Sequence, residues 1–224
     1  MSVSEEHAVQ PSATAAPATG IADPAPLGLA AFALTTFLLS AANANWMSHA
    51  TTAAVLGYAF AYGGLIQLLA GMWEFRNRNV FGAVAFSSYG GFWIGLGLWV
   101  VLVKIPAIGA AKTPLALAAT VTALNHDVGW ILLAFFIFNT YMLILSTQIN
   151  MAVFLVFLTL GITEIVLSIG NFNAGAALLP TGTIKFGGYV GLVTAVVAWY
   201  ASFALISRGM TGKLKFPVGP ALLK

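Results

Sequence analysis

Six stretches of about 20 residues, each apolar enough to remain in hydrocarbon, decide what this chain can fold into. They lie at about 25–44, 52–74, 79–103, 128–147, 151–170 and 186–207. A run of this length satisfies its own peptide groups in lipid as an α-helix. Charged side chains make up only 7% of the chain and hydrophobic ones 60%, with a mean hydropathy of +0.94. A soluble domain is about 25% charged, and so few charges could not cover a water-facing surface. The expectation is an all-α polytopic membrane protein with six transmembrane helices in the lipid bilayer.

Residues 1–21 are rich in Ala, Pro, Ser and Thr and read as a disordered tail. Residues 22–207 form the transmembrane domain, and 208–224 a basic C-terminal tail. Two connections are longer than the rest. The stretch 104–127 carries Lys104, Pro106, Lys112, Pro114, Asn125 and Asp127, and 171–185 carries Asn171, Asn173, Pro180 and Lys185. With an even number of spans both termini share one side. Arg76, Arg78, Arg208, Lys213, Lys215 and Lys224 lie on it, against Lys104, Lys112 and Lys185 opposite, so the positive-inside rule puts both termini in the cytoplasm. The net charge of +3 reads as loop topology. No basic patch interleaved with aromatics points to nucleic acid. Cysteine is absent, which excludes disulfides and thiolate metal sites, and the histidines lack metal-site spacing. No motif suggests an enzyme or calls for a cofactor.

Small residues mark the helix contacts: Gly57, Ala61 and Gly64 on the second span, Gly91 and Gly95 on the third, and Gly187, Gly191, Ala195, Ala198 and Ser202 on the sixth. Such stripes let helix backbones approach closely in lipid. They read as packing seams rather than the wall of a pore.

Polar groups inside the spans are the informative residues, because each is costly unless paired or wetted. Phe32, Thr35, Thr36, Leu39 and Asn43 share one face of the first helix. This face suits a pathway lining, or its threonines bond their own helix carbonyls. Gln67 is an amide deep in the second span and needs an interhelical partner or a ligand. Glu74, beside Arg76 and Arg78, reads as an interfacial ion pair. Tyr89 needs a polar partner in mid-span. Glu164 has no basic residue near it in sequence, and shares a face with Leu160, Ser168 and Asn171. It is either a proton-carrying residue or a neutral acid bonded to a neighbouring helix. His49 and His126 read as solvated caps near span ends.

The segment ADPAPLGLAAFALTT from Ala22 resembles the NPAPLGL signature of the acetate uptake transporter family, the succinate–acetate permeases. The signature's first residue is Asp23 here, where Asn is usual. The run Tyr62 to Glu74 is similar to the family's second helix. Phe81-Gly82 followed by Ala85-Phe86-Ser87-Ser88-Tyr89-Gly90-Gly91-Phe92-Trp93 is similar to its third, and Ile169-Gly170-Asn171 to the end of its fifth.

The resemblance implies a six-helix protomer assembled as a homohexamer, moving acetate and related monocarboxylates, or succinate, with protons. A passive acetate-selective anion channel is the alternative, and a non-transporting membrane sensor a third reading. The family's hydrophobic constriction falls on Phe32, Tyr89 and Leu160, and its residue for substrate size on Ala198. Thr35, Thr36, Gln67, Asn43 and Asn171 are expected to line the pathway or bind substrate. Glu164 stands where enterobacterial members are apolar, so its proposed part in proton linkage rests on position alone.

Overall fold

The computed structural model describes residues 20–47 and 52–223. Among them every regular element is helical: α1 (Ala25–Asn43), α2 (Thr52–Phe60), α3 (Gln67–Arg76), α4 (Val80–Trp99), α5 (Ile105–Ala110), α6 (Pro114–Ser146), α7 (Met151–Phe172) and α8 (Gly182–Gly209). One π-helical turn, Ala61–Ile66, joins α2 to α3, and another, Val100–Lys104, joins α4 to α5. Six helical runs are long and apolar enough to cross a membrane, with mean hydropathy between 1.5 and 2.4. The expected tail before Gly20 and His49 lie outside the described residues.

The spans close into a ring in chain order. The first packs on the second and the sixth, and each of the others follows its sequence neighbour around the circuit. The tightest seam joins α1 to α8. A methyl group on Gly188 would stand 2.5 Å from the Ala44 nitrogen and 2.8 Å from the Ser40 carbonyl oxygen, both rigid backbone atoms. Ala195, Ala198, Ala201 and Ala204 continue the seam fully buried. The small residues of the sixth span are therefore packing residues.

Three expectations are corrected. The 104–127 connection is almost entirely helical. Pro106 sits in the first turn of α5, and Pro114 opens α6 behind Thr113, whose side chain accepts from the Ala116 N–H at 3.1 Å. Both prolines stand where a missing N–H costs nothing, so they start helices rather than interrupt them. At 33 residues, α6 is about 50 Å long and holds Asn125–Asp127 as helix beyond a single apolar crossing. Asn125 Nδ2 then ties it to the following loop, donating to the carbonyls of Gly175 (2.9 Å) and Ala177 (3.1 Å).

The second-span stripe also fails to form one face. Gly57 and Ala61 are exposed while Gly64 is buried, because the intervening π-helical turn shifts the angular phase between α2 and α3. Nor is Glu74 an interfacial ion pair. It is fully buried, and accepts a hydrogen bond from Asn77 Nδ2 at 3.2 Å.

The chain after α8 folds back as a strap. The Lys215 ammonium donates to the carbonyls of Ser207 (2.9 Å) and Arg208 (3.1 Å), and to that of Met210, closing the carbonyl end of α8. Tyr200 donates to the Pro217 carbonyl at 2.7 Å. The Ala152 N–H donates to Val218 at 2.8 Å, and the Leu222 and Leu223 N–H groups donate to Thr147 at 2.7 and 3.0 Å. The strap thereby finishes both the last turn of α6 and the first turn of α7.

Candidate functional site

A cavity of about 170 Å³ opens at the end of the ring that carries Gly20 and the strap. Its mouth is formed by Asp23, Asn79, Ile149 and Asn150, and its walls include Leu29, Phe81, Phe86, Val153 and Phe157. An engineered apolar cavity of about 150 Å³ holds a benzene molecule, so the space suits a molecule of a few heavy atoms. Four residues make the floor: Phe32, Gln67, Tyr89 and Leu160.

The matching depth of these four follows from the helix starts. Phe32, Tyr89 and Leu160 lie seven, nine and nine residues after the first residues of α1, α4 and α7, and Gln67 lies nine before the end of α3. At 1.5 Å per residue all are about 10–14 Å from the same end of the ring. Pro24 bounds α1, and its carbonyl accepts the N–H groups of Leu27 (3.1 Å) and Gly28 (3.2 Å). Ser202 of α8 donates to the Pro26 carbonyl at 2.7 Å, which anchors this first turn against the sixth span. Asp23 Oδ1 accepts from the Ala25 N–H at 3.0 Å. It therefore pairs the first N–H of α1, whose N-cap position is Pro24, and also stands at the cavity mouth.

The floor is mostly apolar. The rings of Phe32 and Tyr89 meet edge to face at 5.8 Å, and Tyr89 packs on Phe135 (5.7 Å) and Phe138 (5.5 Å). Leu160 and Ala198 belong to the same buried cluster. Gln67, 1% exposed, is the polar exception, and its Oε1 has no hydrogen-bond partner. No Lys or Arg lines the cavity among the described residues.

The other polar residues singled out from the sequence stand away from the lining. Thr35 donates to the Ala31 carbonyl of its own helix at 3.1 Å and reaches the Tyr58 carbonyl at 3.5 Å. Of the two readings of this hydroxyl, bonding to backbone is the one the structure shows. Thr36 is buried and its Oγ1 is unpartnered. Asn43 is half-buried at the opposite end of α1, and Asn171 Nδ2 donates to Leu167 of its own helix at 2.8 Å.

Glu164 is 4% exposed. Its Oε1 lies 3.2 Å from the Tyr89 hydroxyl, which lies 3.1 Å from Asn139 Oδ1. Asn139 is missing from the sequence reading, although it is a lone amide in an apolar span like Gln67 and the same reasoning would have found it.

A ring of six membrane-crossing helices around a one-ended cavity with an apolar floor defines a polytopic membrane protein with an intramembrane pathway. Residues 6–220 match the GPR1/FUN34/yaaH family, and the chain belongs to it. It is 41% identical over 199 residues to acetate permease A of Emericella nidulans, the match covering 88% of this chain and 65% of that protein. It thus spans about two thirds of the length of that fungal relative. It is 31% identical to the succinate-acetate/proton symporter SatP of Escherichia coli, over 90% of this chain and 97% of that one. The solved structure of the bacterial acetate channel SatP superposes with a TM-score of 0.74 at 29% identity, covering 89% of this chain and 99% of that chain.

Proposed function

We infer that this chain carries acetate and related small monocarboxylates across the membrane. The observation that supports the reading best is the floor at which Phe32, Tyr89, Leu160 and Gln67 meet in one cavity. An anion at the centre of a bilayer costs on the order of 3 kcal/mol or more, so a permeating carboxylate needs a substitute for its water. The Gln67 amide offers a donor to a carboxylate, and its free Oε1 offers an acceptor to a carboxylic acid. Phe32, Tyr89 and Leu160 receive the methyl end and form the constriction, with Ala198 behind them setting substrate size. Past the floor the unpartnered Thr36 hydroxyl is the next polar group, and Asn43 and Asn171 stand toward the far exit. With no cation in the lining, binding is weak and suits transit.

The cavity faces the cytoplasm, a reading supported by the basic residues Arg76, Arg78, Arg208, Lys213 and Lys215 around its end. Glu164, a carboxylic acid in the resting protein, supplies proton linkage when it gives up that proton, and protomers assemble as homohexamers. Gly57, Gly91 and Gly95, which have no neighbouring atoms where a side chain would project, leave close-approach faces for that assembly.

Counterflow of labelled acetate in proteoliposomes, with succinate and lactate as competitors and at two pH values, tests the reading. Saturable exchange is expected, and flux at the level of empty liposomes would refute it. The cation-free lining also favours a second reading, a passive channel. The two separate on whether an imposed proton gradient drives acetate above its own equilibrium.

A further inference from the structure

The Tyr89 hydroxyl is turned away from the cavity it helps to close. Both of its partners, Asn139 and Glu164, are buried and neither lines the cavity. Asn139 Nδ2 donates to the Phe157 carbonyl at 2.9 Å, which fixes the amide so that its Oδ1 faces the tyrosine. The fit is close. A methyl group on Gly161 would stand 2.6 Å from Asn139 Nδ2, so the glycine makes the room that the amide occupies. Three helices, α4, α6 and α7, are thus joined through one phenolic oxygen.

The hydrogens in this chain can be counted. The hydroxyl has one hydrogen and two oxygen neighbours at 3.1 and 3.2 Å. Asn139 Oδ1 can only accept, so the tyrosine hydrogen goes there. The contact with Glu164 then needs a hydrogen from the carboxyl itself. Tyr141 is the other titratable group facing the tyrosine, and no cationic group acts on Glu164.

We propose that Asn139 and Glu164 are positioning residues that clamp the Tyr89 hydroxyl, with Glu164 as a carboxylic acid, and so set the width of the cavity floor. This rests on the acetate-pathway reading for its transport consequence, while the clamp itself is a structural statement. Tyr89 presents only its ring to the pathway. Releasing its hydroxyl lets the ring turn, and the floor then admits larger acids.

Two measurements test this on the full-length protein. The first is transport selectivity, read as the ratio of lactate to acetate counterflow. Glu164→Leu and Asn139→Leu are expected to raise the ratio about fivefold, the factor that one buried hydrogen bond is worth. Glu164→Gln, which keeps a donor to the phenolic oxygen, brings the ratio back toward wild type. In a Tyr89→Phe background Glu164→Leu adds nothing further. Gly161→Ala, which crowds Asn139 without altering a polar group, shifts the ratio in the same direction. Unchanged ratios in both leucine variants, or full additivity on Tyr89→Phe, overturn the clamp.

The second is the infrared difference between wild type and Glu164→Gln, which needs no transport. A lost carboxylic-acid carbonyl band is expected. A difference containing carboxylate bands alone overturns the hydrogen count. Wild-type protein that carries no acetate but shows the carbonyl band would refute the functional reading and leave the clamp standing.

Discussion

Replacing Gln67 by leucine separates stability from transport, because the two respond with opposite sign. Gln67 is 1% exposed at the cavity floor and its Oε1 is unpaired. A buried oxygen left without a partner costs about 1–3 kcal/mol, and leucine occupies a similar volume with no polar atom. Gln67→Leu is therefore expected to raise the melting temperature of detergent-solubilised protein, by about 2–4 °C for each kcal/mol recovered. Transport moves the other way. A hydrogen bond to a charged group contributes about 1.5–3 kcal/mol, so a carboxylate deprived of the amide at the floor crosses roughly tenfold to a hundredfold more slowly. Both quantities come from one preparation, by heating followed by size-exclusion chromatography and by labelled acetate uptake in proteoliposomes. Uptake at the wild-type rate refutes the argument whatever the stability. A fall in stability shows that the amide is held by the protein and is not waiting for a ligand.

Three further outcomes follow from the geometry. Leu160→Ala removes an apolar wall from the floor and is expected to raise succinate competition against acetate by about tenfold, since relieving the overlap of a larger acid with that wall is worth about 1–3 kcal/mol; competition assays read it directly. Gly188→Ala forces α8 away from the backbone of α1 and should cost about 1–3 kcal/mol, seen as a lower melting temperature with unaltered substrate preference. Lys215→Met leaves the last carbonyls of α8 without their donor, a loss of about 0.5–1.5 kcal/mol, and limited proteolysis within residues 210–223 should accelerate several-fold.

The spans were legible because hydropathy and length suffice to mark a membrane crossing. The start of the fourth span was misread because Asn125 and Asp127 look like a loop in a window of composition. The partners of Asn125, the Gly175 and Ala177 carbonyls, lie some fifty residues away and leave no local trace. Phe32, Tyr89 and Leu160 came from the resemblance, and no spacing along the chain relates them. What joins them is a similar count of residues, seven, nine and nine, from three helix starts, which becomes meaningful only when those helices begin at the same level. The π-helical turn before Gln67 was beyond reach, since Ala61–Ile66 differs from ordinary helix by one residue of phase. Asn139 was legible and overlooked.

The strap gives the cavity mouth an order of assembly. Asn150 and Ile149 sit between Thr147 and Ala152, whose backbone groups are completed only by Val218, Leu222 and Leu223. About seventy residues of synthesis separate the two, several seconds at the usual 5–20 residues per second. Throughout that interval the Thr147 carbonyl and the Ala152 N–H lack the partners that the strap brings. A nascent chain therefore holds its six crossings before the last backbone groups beside its doorway are paired.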